Sequence, residues 1–562
     1  MSAIVGIDLG TTNTTVSYAF CKQDKPEIIL FPITQRLKDE SVAQSFVLPS
    51  FLYFPLDEEM EALACSTPIV GEYAQKRSGE VPERSISSSK SWLCQQNQPL
   101  LPIGGEKQLS AVDCAAEILK TIQTAWDQQF PDHPLKDQEV YVTVPASFVP
   151  HARALVQQAI EQIGLKAALI EEPQAALYAW LWSHNWKDRF QLSDSLLVVD
   201  IGGGTTDFSL VVAEEQDKNL SFSRVAVGPH LLLGGDNIDH TLAHFMVNRF
   251  SESGVQLDEW QERSLVALCR SAKEEILNSK AQKREIVLPG RGSKLIAKSL
   301  RAEITREEIE RICLDGFFPT VSFNDELFKS TSSALKQVGL EYATDPRITA
   351  HLAAFLRSND QVPTAVLFNG GTCKSQSFQR RVVENLNSWA ESVDKKSPEV
   401  LTGADLDFAV SRGAVAYGLS KRGFGVRIKS NLAASYFVGI EEARPAIPGA
   451  PIPISALCVA PVGLEEGSAV NVPGLKLSLL VGRPVQLKFF MAEKEYPIGA
   501  FVKRLSNLQE LHPIETQLEG SSSDQESVDV RLITEVDELG TLSLSCKSED
   551  DRTWKFEFHT RT

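Results

Sequence analysis

Residues 4–18 read IVGIDLGTTNTTVSY and residues 196–212 read LLVVDIGGGTTDFSLVV. Each is an apolar run ending in Asp, a turn rich in Gly and Thr, and a second apolar run, which predicts a β-hairpin. Asp8 and Asp200 hold equivalent places, 192 residues apart. Two copies of one hairpin at that distance predict a duplicated α/β unit with a cleft between its halves.

Strand and helix patterns alternate between the copies. EVYVTVPASF (139–148) reads as a strand running into a turn. PHARALVQQAIEQIG (150–164) follows with apolar residues at helical spacing. A short AALI strand, an EEP turn and the helix QAALYAWLW (174–182) complete a βαβα succession, which argues for a sheet with crossover helices. Beyond the second hairpin come LGGD (233–236), an amphipathic stretch to Phe250, and a charged helix over 258–279. Thr305 and Glu308 make a capping box. TAVLFNGGT (364–372) is a strand into a Gly-Gly turn. The helix in 405–422 carries small residues at 413, 414, 416 and 418, suited to close packing.

Texture changes near residue 425. LKLSL, VQLKFF, SVDVRL, LSLSC and TWKFEF alternate with period two between Pro and Gly clusters, predicting an antiparallel β module, a sandwich, over 426–562. A polar stretch with Ser521, Ser522 and Ser523 reads as a mobile loop, and no long helix is expected after the final strand.

Composition bounds the function. A chain of 562 residues, 43% hydrophobic, supports three or four lobes at roughly 150 residues each. Its net charge of −17 is spread along the chain, whereas nonspecific nucleic-acid binding needs a basic surface that releases counterions. No nucleic-acid partner is expected. No apolar run approaches the roughly 20 residues of a membrane span. The terminus MSAIVGIDLGTT lacks a basic region and is interrupted by Asp8, so neither membrane nor secretory roles are expected. The nine cysteines, no two closer than 20 residues, form no CxxC pair and predict a reducing, cytoplasmic setting.

Four Gly-rich turns follow strands, at 8–13, 200–207, 234–236 and 369–372. Backbone N–H groups in such turns face phosphate oxygens because Gly lets the main chain approach closely. Neither a Walker motif nor a dinucleotide fingerprint is present: Asp207 stands where the third Gly of the latter belongs. One Gly-Gly turn alone is usually an ordinary turn, and one strand-end Asp usually caps it. The duplication argues against both readings. Asp8, Asp200 and Asp207 on the hairpins, with Glu172 on the EEP turn, suit hydrated Mg²⁺, which takes oxygen ligands and keeps several waters.

IVGIDLGTTNTTVSY, VYVTVPASF…AR…IEEPQAAL, VVDIGGGTTDFSLV, LLGGDNID and VLFNGGT closely resemble the DnaK family, the heat shock protein 70 chaperones, of the actin-like ATPase superfamily. The likeness runs in order over about residues 1–425 and marks a divergent, bacterial-type member. It implies a two-lobed nucleotide-binding domain over 1–425, with duplicated ribonuclease-H-like subdomains. Lobe I would cover about 1–195 and lobe II about 196–425, and 426–562 would be a diverged substrate-binding β domain without a helical lid. It also implies an ATPase that turns over slowly with ATP/ADP, Mg²⁺ and K⁺. The protein would bind a client or dedicated partner, with J-domain and nucleotide-exchange co-chaperones, in a stress response.

By the same resemblance Gly10, Thr11, Thr12 and Asn13 hold the terminal phosphates, as do Gly202, Gly203, Gly204 and Thr205. Asp8, Glu172, Asp200 and Asp207 position hydrated Mg²⁺ and the attacking water. Lys90, in SSSKSWL, is the catalytic lysine, acting with Glu172, Thr205 and Asp207. Gly234, Gly235, Asp236, Lys273, Gly370, Gly371, Lys374 and Asp407 lie toward the adenosine end and the phosphates. Pro145 and Arg153 form the switch that reports nucleotide state.

Some positions depart from the family. Arg270 stands where the family has a glutamate toward the ribose. Lys374 replaces an arginine that stacks on adenine, and lysine lacks that planar surface. The acidic-leucine linker is replaced by KRGFGVRIKSNLAASYFVGIEE (421–442). These departures support an alternative, a nucleotide-gated adaptor with little foldase activity. A small-molecule kinase of the same superfamily shares the hairpins but lacks the Lys90, Pro145 and Arg153 signals. His240 and His244 are four apart on a helix without a third ligand, and read as ordinary helix histidines. Trp180, Trp182 and Trp186 read as packing residues.

Overall fold

In the computed structural model the chain forms two compact units, Met1–Arg427 and Ile428–Thr562. The structure describes all residues except 1, 22–25, 64–67, 96–97, 217–218, 289–298, 329–339, 341, 430–431, 433, 443–452, 466, 475–476, 483, 493, 512–513, 518–525, 537–540 and 560–562. The serine-rich loop at 521–523 and most of the Pro-rich stretch near 445–454 lie outside the described residues.

The N-terminal unit is built on two mixed sheets. In the first, Ala3–Leu9 pairs antiparallel with Asn13–Phe20 and parallel with Glu139–Val144, which pairs parallel with Ala167–Glu171. In the second, Ser195–Ile201 pairs antiparallel with Thr206–Gln216 and parallel with Ala365–Asn369. Thr206–Gln216 continues antiparallel into Asn219–Val227. Asp8 lies opposite Thr15 and Asp200 opposite Asp207, so the two hairpins share one register. Strands such as Ser195–Ile201 are buried along their whole length because helices cover both faces, and their sequence is accordingly apolar without alternation.

Helix Ala409–Lys421 explains the run of small residues. It has no polar stripe and is almost wholly buried. A Cβ on Gly413 would lie 1.7 Å from Ala175 O, and one on Gly6 would lie 2.3 Å from Ser411 O. Glycine at both positions lets this helix press on helix Glu172–Ser183 and on the first hairpin. Ser17 Oγ and Ser411 Oγ meet at 2.9 Å in the same contact. The predicted helix over 258–279 spans Glu259–Asn278 with an Asp258–Gln261 capping box, and the Thr305–Glu308 box forms as expected.

Among the described residues the C-terminal unit holds two five-stranded antiparallel sheets and a two-stranded one. Glu526–Val536 shows period two, with Val528, Val530, Leu532, Thr534 and Val536 buried and Asp529, Arg531 and Glu535 exposed. The buried side meets Val438, Leu457 and Phe489 of the other five-stranded sheet in one core. VQLKFF is not a single strand. Pro484–Leu487 pairs with Ile514–Gln517, and Phe489–Ala492 pairs with Ser435–Glu441. The chain changes sheet at Lys488.

Candidate functional site

A cavity of about 250 Å³ opens in the N-terminal unit where the two hairpin turns meet. Gly10, Thr11, Thr12 and Asn13 line it from the first turn, and Gly202, Gly203 and Thr205 from the second. The turns touch. A Cβ on Gly203 would lie 2.1 Å from Thr12 Oγ1, and one on Gly204 would lie 2.5 Å from Ser91 Oγ and 3.3 Å from Thr11 Oγ1. Gly204 therefore packs behind the wall, between the first turn and the segment that carries Lys90. The second turn is closed by Gly202 N donating to Thr205 O at 2.9 Å.

Acidic groups converge beside the turns. Asp8, Glu172 and Asp200 line the cavity. Asp207 lies behind them, accepting from Ser147 N at 2.9 Å. Thr143 Oγ1 donates to Asp8 Oδ1 at 3.1 Å and Asn369 Nδ2 to Asp200 Oδ2 at 2.8 Å. Burial, reinforced by Glu172, pushes the Asp8 carboxyl up to about 7. Burial first, then Glu172 and Asp207, raises Asp200 well above the usual carboxylate range. Glu172 and Asp207 are raised too, again by burial foremost.

Lys90 also stands behind the wall, 5% exposed, and its ammonium donates to Glu172 Oε1. One lysine among four carboxylates leaves a local surplus of negative charge, which a divalent cation would neutralise. Among the described residues no three His, Cys, Asp or Glu side chains form a direct metal cage. Carboxylate oxygens of this kind suit a hard cation such as Mg²⁺, which takes oxygen ligands and keeps several waters.

The turn at 370–374 is fixed to this floor. Gly370 has φ of 86°, and a Cβ there would lie 2.3 Å from Ile201 O and 2.6 Å from Asp200 Oδ1, so only glycine fits under that carboxylate. Gly371 lines the cavity, and Thr372 Oγ1 donates to Gly202 O at 2.9 Å. Gly234 packs under Gly203, where a Cβ would lie 2.6 Å from Gly203 O. Gly235 lines the cavity at the start of helix Gly235–Glu252.

The remaining wall is an ion-pair network. Arg270 donates to Asp236 Oδ1 at 2.5 Å and to Asp239 Oδ2 at 2.7 Å. Lys273 Nζ lies 2.7 Å from Asp239 Oδ1, and Ser88 Oγ donates to Asp236 Oδ2 at 2.6 Å. Lys374 pairs with Asp407 at the cavity mouth.

Pro145 and Arg153 lie outside the cavity lining. Pro145 ends strand Glu139–Val144, and its carbonyl accepts from Phe148 N at 3.1 Å. Arg153 donates to Ala146 O at 3.0 Å and lies 3.4 Å from Glu171 Oε1; the other Glu171 oxygen accepts from Arg224. Glu171 and Glu172 are adjacent in sequence, so one backbone joint holds Arg153 on one side and Lys90 on the other.

Ser88, Thr143, Ser147, Asp239 and Asn369 serve the site without any signal in their own residue types. Asp239 lies within LLGGDNID, and that motif was the one available pointer to it. Arg224 sits on a strand of ordinary pattern, and its role appears only when that strand is placed against Glu171. His240 and His244 are exposed on helix Gly235–Glu252, while Trp180 and Trp186 are buried. No helix among the described residues is long and apolar enough to cross a membrane.

Residues 82–340 match the family model described as Hsp70 protein. Proteins of that family are ATP-binding, chaperone-like ATPases with an actin-like ATPase fold that use ATP/ADP and Mg²⁺ and bind protein clients. The matched segment contains Lys90, Glu172, the second hairpin and the whole Asp236–Arg270 network, and the match supports an Hsp70/DnaK-type member.

Proposed function

We propose that this chain binds ATP with Mg²⁺ at the cavity between its hairpin turns, hydrolyses it slowly, and couples nucleotide state to binding of a protein client. The observation that carries this reading is the contact of the two Gly/Thr turns beside the buried Lys90–Glu172 pair. Two turns that abut present backbone N–H groups from both sides to one anionic chain. Thr11, Thr12, Asn13 and Thr205 add hydroxyl and amide groups to that cradle. A bound Mg²⁺ would supply charge neutralisation at the phosphates, with Asp8, Asp200 and Asp207 holding its water shell and K⁺ sharing the same carboxylate surplus. Lys90 brings positive charge to the reacting end, and Glu172 orients it. Phosphoryl transfer needs little beyond such positioning and electrostatics.

The Glu171–Glu172 step supports coupling. A displacement of Glu172 with Lys90 would be felt at Glu171, and through it at Arg153 and the Ala146 carbonyl that Arg153 holds. The 426–562 module would be the client-binding part, aided by J-domain and exchange partners in the cytoplasm. All eight described cysteines are free, which suits that setting. Release of phosphate from ATP by the purified chain, lost in Lys90→Ala and Thr205→Ala, tests the ATPase. Full turnover in both variants would refute the assignment.

A second reading, a nucleotide-gated adaptor with negligible turnover, draws on the far wall. There Arg270 is tied to Asp236 and Asp239, and Lys374 to Asp407. A peptide array separates the two: broad binding of extended apolar peptides favours the chaperone, and silence favours the adaptor.

A further inference from the structure

A second cavity, of about 490 Å³, shares no lining residue with the one between the hairpin turns. That volume lies within the range of small-molecule sites, about 300–1,000 Å³. Its walls are residues 26–28, the end of helix Glu172–Ser183, and the stretch 403–412 that leads into helix Ala409–Lys421. One wall is held firmly. Trp180 is 2% exposed, stacks on His184 with ring centroids 4.7 Å apart, and donates from Nε1 to Thr402 O at 3.2 Å. A Cβ on Gly403 would lie 2.6 Å from His184 Nε2, so glycine there admits the imidazole. The helix end and the loop are thereby locked together, and a wall already ordered costs a ligand little to meet.

The polar groups of this cavity carry both signs and are under-used. Arg412 lines it, and its buried Nε has no hydrogen-bond partner. Its Nη1 lies 3.6 Å from Asp405 Oδ2, beyond hydrogen-bonding reach. Asp405 is committed to its own turn, where Oδ1 accepts from Asp407 N at 3.3 Å. Glu27 is exposed and forms no ion pair among the described residues. Pro26, Ile28, Ala404 and the half-buried Trp182 add apolar surface. The two helix ends match these charges: the carbonyl end of Glu172–Ser183 favours a cation, and the start of Ala409–Lys421 favours an anion.

We propose that this cavity binds a free α-amino acid with an aromatic or other large apolar side chain. The α-carboxylate takes the Arg412 guanidinium. A turn of that side chain toward it pairs Nε–H and an Nη–H with the two carboxylate oxygens and relieves the orphaned donor. The α-ammonium lies toward Glu27 and the carbonyl end of helix Glu172–Ser183, and the ligand's side chain rests on Trp182 and Ile28. An anion without the ammonium is opposed by Glu27 and Asp405, and a cation without the carboxylate is opposed by Arg412. Only the zwitterion answers both signs. The site is independent of the nucleotide reading above.

The test is calorimetric titration of the full chain with phenylalanine, phenethylamine, 3-phenylpropionate and N-acetylphenylalanine. Phenylalanine should bind, and each of the others, lacking the carboxylate or the free ammonium, should be weaker by about tenfold or more, the scale of one charge-assisted hydrogen bond. Arg412→Gln and Glu27→Gln should each weaken phenylalanine by a similar factor. Neither side chain makes a hydrogen bond among the described residues, so both variants should keep the wild-type Tm. No heat at about 5 mM phenylalanine overturns the inference. So does phenylalanine binding that either variant leaves within twofold. Equal affinity for 3-phenylpropionate would make this a simple carboxylate site, and equal affinity for N-acetylphenylalanine a site for a chain terminus; either result overturns the proposal.

Discussion

Lys90 and Glu172, 82 residues apart in sequence, are joined by a charge-assisted hydrogen bond in which the lysine is 6% and the glutamate 15% exposed. Such a pair is held by geometry as well as charge, because each partner loses its compensation if the other is removed. Lys90→Ala leaves Glu172 facing Asp8 and Asp200 without its nearest cation. Phosphate release should fall by roughly 10²-fold or more, the scale seen when one preorganised electrostatic group is lost. Nucleotide affinity should change far less, since the turns remain. Single-turnover hydrolysis beside equilibrium binding separates the two effects, and a parallel loss of both would show that Lys90 serves binding alone.

The acidic cluster makes a second prediction, in pH. The Asp8 carboxyl is pushed up to about 7, by burial first and Glu172 second. A carboxyl that holds its proton more tightly folded than unfolded contributes stability below its unfolded value near 4. That contribution is lost as pH rises through about 7. Without nucleotide and divalent cation, Tm should therefore fall between pH 5 and pH 8, and Asp8→Asn should flatten the decline. Mg²⁺ with nucleotide should raise Tm more at pH 8 than at pH 5, because ionised carboxylates are the binding form. An identical pH profile in wild type and Asp8→Asn would exclude Asp8 as its source.

Much of this site could be read from local pattern. Asp8 and Asp200 end apolar strands before Gly-rich turns, and backbone propensity alone sets that arrangement. The smallness of helix 409–421 likewise announced close packing before its partners were known. Lys90 carried no such signal. A lysine in SSSKSWL reads as surface, and it is buried only because the 89–94 turn is brought against the second hairpin. Lys488 shows the opposite failure. VQLKFF keeps a strand-like pattern through a point where the chain leaves one sheet for another, because periodicity records burial and not pairing partners.

The Glu171 cluster predicts a stability effect. Glu171 is fully buried between Arg153 and Arg224, themselves 9% and 4% exposed. Glu171→Gln leaves two buried guanidinium groups without the carboxylate they share. A cost of about 3–5 kcal/mol follows from breaking a buried pair on one side. Replacing Arg224 by Met leaves Arg153 on Glu171 and should cost less. Chemical denaturation of the three proteins checks the order, and an unchanged midpoint for Glu171→Gln would mean the charges are solvated.

The contact between the hairpin turns can be tested by a clash and its relief. Any Cβ at position 203 would lie 2.1 Å from Thr12 Oγ1, far inside contact distance, so in Gly203→Ala the Thr12 side chain must leave its position or one turn must move. Over-packing of this kind typically costs about 1–3 kcal/mol. Here the strain falls on the two segments proposed to grip the phosphates, so nucleotide affinity should drop by about tenfold or more. Thr12→Ala removes the oxygen that clashes and leaves Thr12 Cβ, 3.5 Å from the new methyl, in ordinary contact. Alone it should weaken binding modestly, by the loss of one hydroxyl. Combined with Gly203→Ala it should recover part of the affinity, a coupling that a double-mutant cycle reads directly. Additive losses in the double variant would mean that the turns act independently and that their contact does not shape the site.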